Sequence, residues 1–171
     1  MKEETSLEIL TEELLLVPCS LDLAKSLILH KKELAKRSPI LIPEDWPSEM
    51  SRGIMPFYIE RLERDCSEYG WGLWLIIHHK DKKMIGDFYI YSKPDETGMV
   101  NFDFRIDPDY GMENGYEAVS HFFDWLFEQK EVKRVSTECH IEHDKTIGIL
   151  SRLGLICRGK EHSFLSWSLA K

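Results

Sequence analysis

The feature that most constrains the fold is a change of hydrophobic period on either side of residue 110. Residues 100–106 alternate between apolar and polar side chains, which predicts a half-buried strand. Residues 115–130 repeat apolar side chains at helical spacing, which predicts an amphipathic helix of about four turns. Gly111 and Gly115 lie in the short connection. Exposed amides at the start of such a helix favour a bound anion such as a pyrophosphate.

The segments before residue 100 predict two helices and three strands. An apolar strand at 14–18 precedes a helix that Ser20 would cap, and a second helix is expected over 55–69. Between these helices lies a stiff, proline-rich loop that carries Trp46. Apolar runs at 73–79 and 84–91 flank a polar turn and predict a hairpin.

The segments after residue 130 predict a strand at 134–139, a helix at 144–153, and strands at 155–157 and 164–169. Gly154 is expected to end the helix. The full order is β-α-α-β-β-β-α-β-α-β-β. It predicts an α/β (α+β) fold with a mixed, mostly antiparallel sheet flanked by helices. We expect residues 1–171 to form a single domain, because one core typically serves roughly 100–200 residues.

Charge and composition narrow the class of protein. The chain has 22 Lys and Arg against 30 Asp and Glu, a net charge of −8, which argues against general binding to nucleic acid or to an anionic membrane. Its apolar runs are far shorter than the ~20 residues of a membrane span. The start, Met1-Lys2-Glu3-Glu4, lacks the pattern of a signal peptide. We therefore expect a cytoplasmic protein.

The cysteines and histidines do not predict a metal site. No two of the four cysteines have CxxC spacing, and they are typical of packed thiols in a reducing compartment. Cys139, on a predicted inner strand, is more simply a packed thiol than a nucleophile. No histidine pair has the i, i+4 spacing of zinc hydrolases, so no metal is expected.

Several short motifs occur in one order along the chain. They are Leu14-Leu15-Leu16-Val17-Pro18, Asp45-Trp46-Pro47, Gly72-Leu73-Trp74, Ile85-Gly86-Asp87, Pro108-Asp109-Tyr110, Gly115-Tyr116-Glu117-Ala118-Val119, Asp124-Trp125-Leu126-Phe127, Lys133-Arg134-Val135, His140-Ile141-Glu142-His143-Asp144-Lys145-Thr146 and Leu153-Gly154-Leu155. This succession resembles the GNAT superfamily of acyl-CoA-dependent N-acyltransferases. It is most similar to the branch that includes ribosomal-protein N-acetyltransferases.

The resemblance implies that acetyl-CoA is the co-substrate. In the family, the pantetheine arm lies between two splayed strands, here 100–106 and 134–139, and a glycine loop, here 111–115, wraps the pyrophosphate. His143 and Thr146 take the places of a family Asn and Ser near the pantetheine. The cofactor-binding residues implied by position are Phe104, Arg105, Ile106, Gly111, Met112, Glu113, Asn114, Gly115, Tyr116, His143 and Thr146.

The family reaction is direct transfer, in which a neutral amine attacks the thioester and a base removes its proton. Asn101 occupies the position of a frequent Glu base and cannot act as one. Asp103, two residues on and on the same strand face, is therefore the expected catalytic base. Leu150 occupies the position of a frequent Tyr acid. Asn101 and Trp46 are candidate substrate-binding residues, and core packing explains Trp46 equally well.

The implied function is transfer of an acetyl group to a primary amine. The acceptor stays open among protein N-termini, polyamines, amino sugars and amino acids, and a homodimer is compatible with the family. Residues 108–118 hold three carboxylates and no Lys or Arg, and Glu113 within them would oppose a bound pyrophosphate. Side-chain help for CoA would then come from the more basic stretch 133–160. The alternative is a non-catalytic GNAT-fold binding or regulatory module with weakened CoA binding.

Overall fold

One mixed sheet of eight strands organises the chain in the computed structural model, which describes residues 7–171. The strands are β1 (Ile9–Leu10), β2 (Leu14–Pro18), β3 (Leu73–His78), β4 (Lys83–Ile90), β5 (Met99–Ile106), β6 (Arg134–His140), β7 (Ile156–Glu161) and β8 (Phe164–Ala170). Their spatial order is β1-β2-β3-β4-β5-β6-β8-β7. Within this sheet the β5–β6 pair is parallel and its other pairs are antiparallel. The predicted mixed, mostly antiparallel sheet is confirmed. The first four residues, used above to predict no signal peptide, lie outside the described part.

The helices lie on both faces of the sheet. They are α1 (Leu21–Leu29), α2 (Lys31–Arg37), α3 (Glu49–Arg64), α4 (Met112–Glu128) and α5 (Asp144–Arg152), and a 3-10 turn occupies Cys66–Glu68. None of them is long and apolar enough to cross a membrane, within the described residues.

The predicted bounds of the second helix were wrong, and one short helix was not predicted. The helix predicted at 55–69 is α3, which begins at Glu49, because the Ser48 side chain accepts a hydrogen bond from the Ser51 amide and caps the first turn. Its polar first turn carries no apolar period, so the pattern did not show it. The short helix α2 was missed for a related reason, since it buries no residue.

Successive side chains of β3 point to opposite faces of the sheet, and the core is divided into two layers accordingly. Leu73 and Leu75 pack with α1 and α3 on one face, whereas Trp74 and Ile76 pack with α4 and α5 on the other. All six residues of β3 are buried, as expected of a strand covered by helices on both faces.

The α3 layer depends on a close approach at Gly72. The Tyr58 hydroxyl donates a hydrogen bond of 2.7 Å to the carbonyl oxygen of Cys19, which fixes the buried ring. A Cβ atom at Gly72 would lie 2.1 Å from carbons of that ring. Only glycine fits there without moving Tyr58.

The amphipathic helix predicted from the pattern is confirmed as α4. Its buried stripe includes Val119, Phe122, Phe123 and Leu126. The Phe122 ring stacks on Phe88 of β4 at 4.3 Å between centroids. Burying each such aromatic stabilises the fold by roughly 1.5–3 kcal/mol. This packing fixes the axis of α4, and with it the position of the helix start.

Candidate functional site

A cleft opens where β5 and β6 separate. The two strands pair over three positions only, Met99 with Arg134, Val100 with Val135 and Asn101 with Ser136. Beyond them, β5 continues along β4 to Ile106, while β6 continues along β8 to His140. The cleft has a volume of about 1650 Å³. The splaying that the family resemblance implied for these strands is therefore present.

Asn101 lies at the closed end of the cleft. Its side-chain oxygen accepts a hydrogen bond from the Ser136 hydroxyl across the last paired position. This bond joins the strands where their backbone pairing stops. Asn101 is exposed and lines the cleft, so it stays available for a second contact through its amide nitrogen.

Asp103 is half-buried in the cleft wall, two residues along β5. The Tyr91 hydroxyl donates a hydrogen bond to Oδ2, and the Thr137 hydroxyl lies 3.4 Å from Oδ1. Burial raises the pKa of the Asp103 carboxyl above its usual range, whereas the hydrogen bonds from Tyr91 and Thr137 oppose the rise. A carboxylate in this setting can accept a proton from an attacking amine.

Trp46 is buried rather than exposed, although it also lines the cleft. Its indole N–H donates a hydrogen bond of 2.7 Å to Oδ2 of Asp87 on β4. Burial raises the pKa of Asp87, which is only 4% exposed, and the indole hydrogen bond opposes that rise. Trp46 therefore packs in the core and also forms part of the cleft wall, so core packing and substrate binding both remain open for it.

The predicted glycine loop at 111–115 is instead the cap and first turn of α4. Gly111 is the N-cap and the helix begins at Met112, so the start predicted at residue 115 was wrong. A tertiary contact stabilises this first turn, because the side-chain amide nitrogen of Asn114 donates a 2.7 Å hydrogen bond to the Glu13 carboxylate. The amides of Met112, Glu113 and Asn114 have no intrahelical acceptor and can bind an anion at this end of the cleft.

Glu113 has a cationic partner. Its Oε1 lies 2.6 Å from Nη1 of Arg152, at the end of α5. The Arg152 guanidinium in turn lies 3.9 Å from the centroid of the Tyr116 ring. The carboxylate that opposed pyrophosphate binding in the sequence is therefore paired, at the surface, with a cation 39 positions away.

The loop between β5 and α4 is held by residues outside it. Lys83 forms an ion pair of 3.0 Å with Asp107, and the Tyr110 hydroxyl donates a 2.7 Å hydrogen bond to Asp81. The Asp81 contact raises the pKa of Tyr110 to about 12. Both anchors come from the turn and strand start at 81–83, so the loop is fixed relative to β4.

The start of α5 faces the same cleft. His143 is the N-cap of α5, without a side-chain capping bond, and Thr146 lies in the first turn. Both line the cleft, together with Phe104 and Ile106 of β5. Lys145 extends toward the neighbouring loop and donates a 3.3 Å hydrogen bond to the Pro108 carbonyl. Of the predicted cofactor-binding residues, the structure brings seven around one cavity: Phe104, Arg105, Ile106, Gly111, Met112, His143 and Thr146. The other four, Glu113, Asn114, Gly115 and Tyr116, do not line it.

Sequence reasoning missed Tyr91, Thr137 and Trp167, and it included Arg152 only as part of the basic stretch 133–160, without its partner Glu113. Tyr91 and Thr137 hold Asp103, Arg152 holds Glu113, and Trp167 lines the cleft from β8. No local signal distinguishes them, since each reaches the site through strand register or helix packing. Residues 7–171 hold no group of three or more His, Cys, Asp or Glu side chains placed to bind a metal ion.

The chain matches known acetyltransferases in sequence. A family model described as an acetyltransferase (GNAT) domain matches residues 13–156. An uncharacterized N-acetyltransferase, YjdG of Bacillus subtilis (strain 168), is 23% identical over 125 residues, which are 72% of this chain and 74% of that protein.

Solved structures share the fold. A ribosomal-protein-S5-alanine acetyltransferase from Vibrio fischeri superposes with a TM-score of 0.66 at 14% identity, covering 96% of this chain and 97% of that one. The ribosomal L7/L12 alpha-N-protein acetyltransferase RimL, in complex with coenzyme A, gives a TM-score of 0.65 at 14% identity, covering 95% and 96%. The family resemblance read from the motifs is confirmed. Since the family model spans most of the chain, the protein belongs to the GNAT acetyltransferases and is an enzyme of that class.

Proposed function

We propose that the protein transfers an acetyl group from acetyl-CoA directly to a primary amine, with residues 1–171 forming one acyltransferase domain. The observation that carries the proposal is the cleft between β5 and β6, which holds Asp103 in its wall and the start of α4 at one end. This geometry gives a long donor one place for its reactive end and another for its phosphates. The complex of RimL with coenzyme A supports the choice of donor.

The unpaired edge of β5 suits the pantetheine arm. From Phe102 to Ile106, β5 is paired with β4 on one side, while the edge toward β6 has lost its partner strand. Backbone amides and carbonyls of Phe104, Arg105 and Ile106 can therefore bind an amide-bearing chain in the way that a neighbouring strand would.

The first turn of α4 suits the pyrophosphate. The amides of Met112, Glu113 and Asn114 supply donors and the helix dipole favours negative charge there. Gly111 leaves open space beside them, since a Cβ atom at that position would meet nothing within 4 Å. Lys145 is the nearby cation that the β5–α4 loop itself lacks.

The chemistry assigned to the chain is proton removal and positioning. The amine nitrogen bonds to the thioester carbon, the carbon–sulfur bond breaks, and the sulfur leaves as a thiolate that takes up a proton from solvent. Asp103 accepts the proton that the amine loses. Tyr91 and Thr137 orient the carboxylate.

The acceptor is proposed as an amine-bearing small molecule or a protein N-terminus. It would enter beside Asn101 and Trp46, which line the cleft near Asp103. The fold shared with ribosomal-protein acetyltransferases supports a protein N-terminus. The four free cysteines, two of them buried, support a reducing compartment such as the cytoplasm.

The alternative of a binding module with weakened CoA affinity rested on the altered phosphate loop, which contains Glu113 and lacks a basic residue, and on Asn101 and Leu150 in the places of the family's Glu base and Tyr acid. The ion pair of Glu113 with Arg152 offsets the first of these grounds, and Asp103 in the cleft wall supplies a base in place of the missing Glu.

Calorimetric titration with acetyl-CoA, followed by a thiol-release assay against a panel of amines, tests the proposal. We expect binding and amine-dependent release of one thiol for each acetylated product. No binding at millimolar acetyl-CoA refutes the donor. Binding without release for any amine, including peptides with free N-termini, favours the module.

A further inference from the structure

The indole N–H of Trp167 is a buried donor without an acceptor. Trp167 lies on β8, opposite Thr137 of β6, and is 7% exposed. Among the residues that the structure describes, its Nε1 is the buried side-chain polar atom that has no hydrogen-bond partner. Such groups are uncommon in folded proteins, because an unmade hydrogen bond of a buried donor is unfavourable.

The neighbouring Cys139 does not satisfy this donor. Burial raises the pKa of the Cys139 thiol, and an approach of the Trp167 indole N–H to the sulfur opposes that rise. A neutral thiol is a weak acceptor, so this contact leaves the indole N–H without an oxygen or nitrogen partner.

The other fully enclosed indoles of the chain do have partners. The Trp74 N–H donates to the Gly70 carbonyl at 2.8 Å, and the Trp46 N–H donates to Asp87 at 2.7 Å. The unpaired donor at Trp167 is thus a property of that position rather than of buried tryptophans in this fold.

Trp167 also lies in the wall of the cleft. It lines the cavity together with Thr137 and Cys139 of β6 and Ile149 of α5, while β5 lines it with Phe104. The residue is therefore placed where the proposed function puts the acyl-pantetheine arm.

We propose that Trp167 is a substrate-binding residue whose indole N–H donates a hydrogen bond to a carbonyl oxygen of the acyl-pantetheine arm. An indole only donates, so it selects a carbonyl rather than an amide N–H. The acceptor is the thioester carbonyl or an amide carbonyl of pantetheine. The inference rests on the proposed function, which places this arm in the cleft.

Calorimetry on the variant Trp167→Phe tests the hydrogen bond, since the change removes the N–H and keeps an aromatic ring. The dissociation constant for acetyl-CoA should rise about three- to tenfold, as expected for one neutral hydrogen bond. A loss confined to acetyl-CoA identifies the thioester carbonyl, whereas an equal loss for CoA identifies a pantetheine amide. The matched control is Trp74→Phe, which removes a hydrogen bond within the core and should leave both dissociation constants unchanged.

A second measurement does not need the variant to fold stably. In protein labelled with ¹⁵N-tryptophan, five indole signals are expected, one for each tryptophan. The Trp167 signal should move downfield and its proton should exchange more slowly when acetyl-CoA binds. If acetyl-CoA binds but this signal stays in place and Trp167→Phe binds equally tightly, the inference is wrong while the proposed function stands. If acetyl-CoA does not bind at all, both fail.

Discussion

Replacing Asp103 with Asn should remove most of the activity while preserving the shape of the cleft. The amide has the size of the carboxylate and can still accept a hydrogen bond from the Tyr91 hydroxyl. It cannot accept a proton near neutral pH. The substitution therefore isolates proton removal from packing.

The size of the loss follows from the two contacts of Asp103. General bases contribute about 10²- to 10⁴-fold to rate. The Thr137 contact, at 3.4 Å, is long and leaves Oδ1 available, whereas the hydrogen bond from Tyr91 lowers the basicity of the carboxylate. These opposing influences place the expected loss of kcat/KM at about 10³-fold, equivalent to about 4 kcal/mol of barrier.

The same substitution, Asp103→Asn, should make the folded protein more stable although it lowers the activity. Because folding raises the pKa of Asp103, its contribution to stability is present at low pH and is lost as pH rises through the folded-state pKa. At neutral pH, the ionised carboxylate therefore destabilises the folded state, and Asp103→Asn should raise the free energy of unfolding in urea. A variant that is more stable and less active distinguishes a catalytic loss from partial unfolding.

The pH dependence of thiol release provides the assay. Wild-type kcat/KM, expressed for the neutral form of the amine, should rise with pH as Asp103 loses its proton, and this acidic limb should be absent from Asp103→Asn. Tyr91→Phe should move this limb to higher pH. The hydrogen bond from Tyr91 lowers the pKa of Asp103, and its removal therefore raises that pKa. Asp124→Asn, on the exposed side of α4, is the control for the change in charge. An Asp103→Asn enzyme with kcat/KM within threefold of wild type and the same acidic limb would refute this role.

Further predictions concern the phosphate end and the core. Arg152→Gln should weaken CoA binding about two- to fivefold in calorimetry, because it leaves Glu113 unpaired beside the α4 amides, and adding Glu113→Gln should restore binding. Gly72→Ala should lower the free energy of unfolding by about 1–3 kcal/mol, because its Cβ meets the Tyr58 ring, as thermal unfolding can show. Gly53→Ala, inside α3 with open space around it, should instead be stabilising by about 0.5–1 kcal/mol.

Elements with a long, one-sided apolar pattern could be predicted from the sequence. The run 100–106 and the helix after it have a single hydrophobic period each, and they correspond to β5 and α4. The helix α2 could not be found this way, because it buries none of its residues. The start of α4 escaped the pattern because Asn114 and Gly115 are weak helix formers, and contacts with Glu13 and Ile149 stabilise that turn.

The contacts within the site could not be predicted from the sequence, because they depend on the register in which the strands pair. Asp103 could be proposed from its place on a strand, but its partner Tyr91 reaches it only because Tyr89 of β4 pairs opposite Asp103. The point at which β5 leaves β6 is likewise set by long-range pairing. Trp46 shows the same limit, since the buried acceptor of its indole N–H, Asp87, is 41 residues away.

The charged residues of one segment alone do not predict whether that segment can bind a phosphate. Residues 108–118 carry three carboxylates without a Lys or Arg, which suggested a poor phosphate site. In the fold, Glu113 pairs with Arg152, and Glu117 accepts a 3.0 Å hydrogen bond from the Glu13 amide. Lys145 also reaches the Pro108 carbonyl from α5. A phosphate at the start of α4 would therefore meet amides, a lysine and a Glu113 paired with Arg152, while Asp109 is the carboxylate of this segment that still lines the cleft. The electrostatic potential at the start of α4 depends on the helix that packs beside it. That helix is α5, which supplies Lys145 and Arg152 to a segment that has no Lys or Arg of its own.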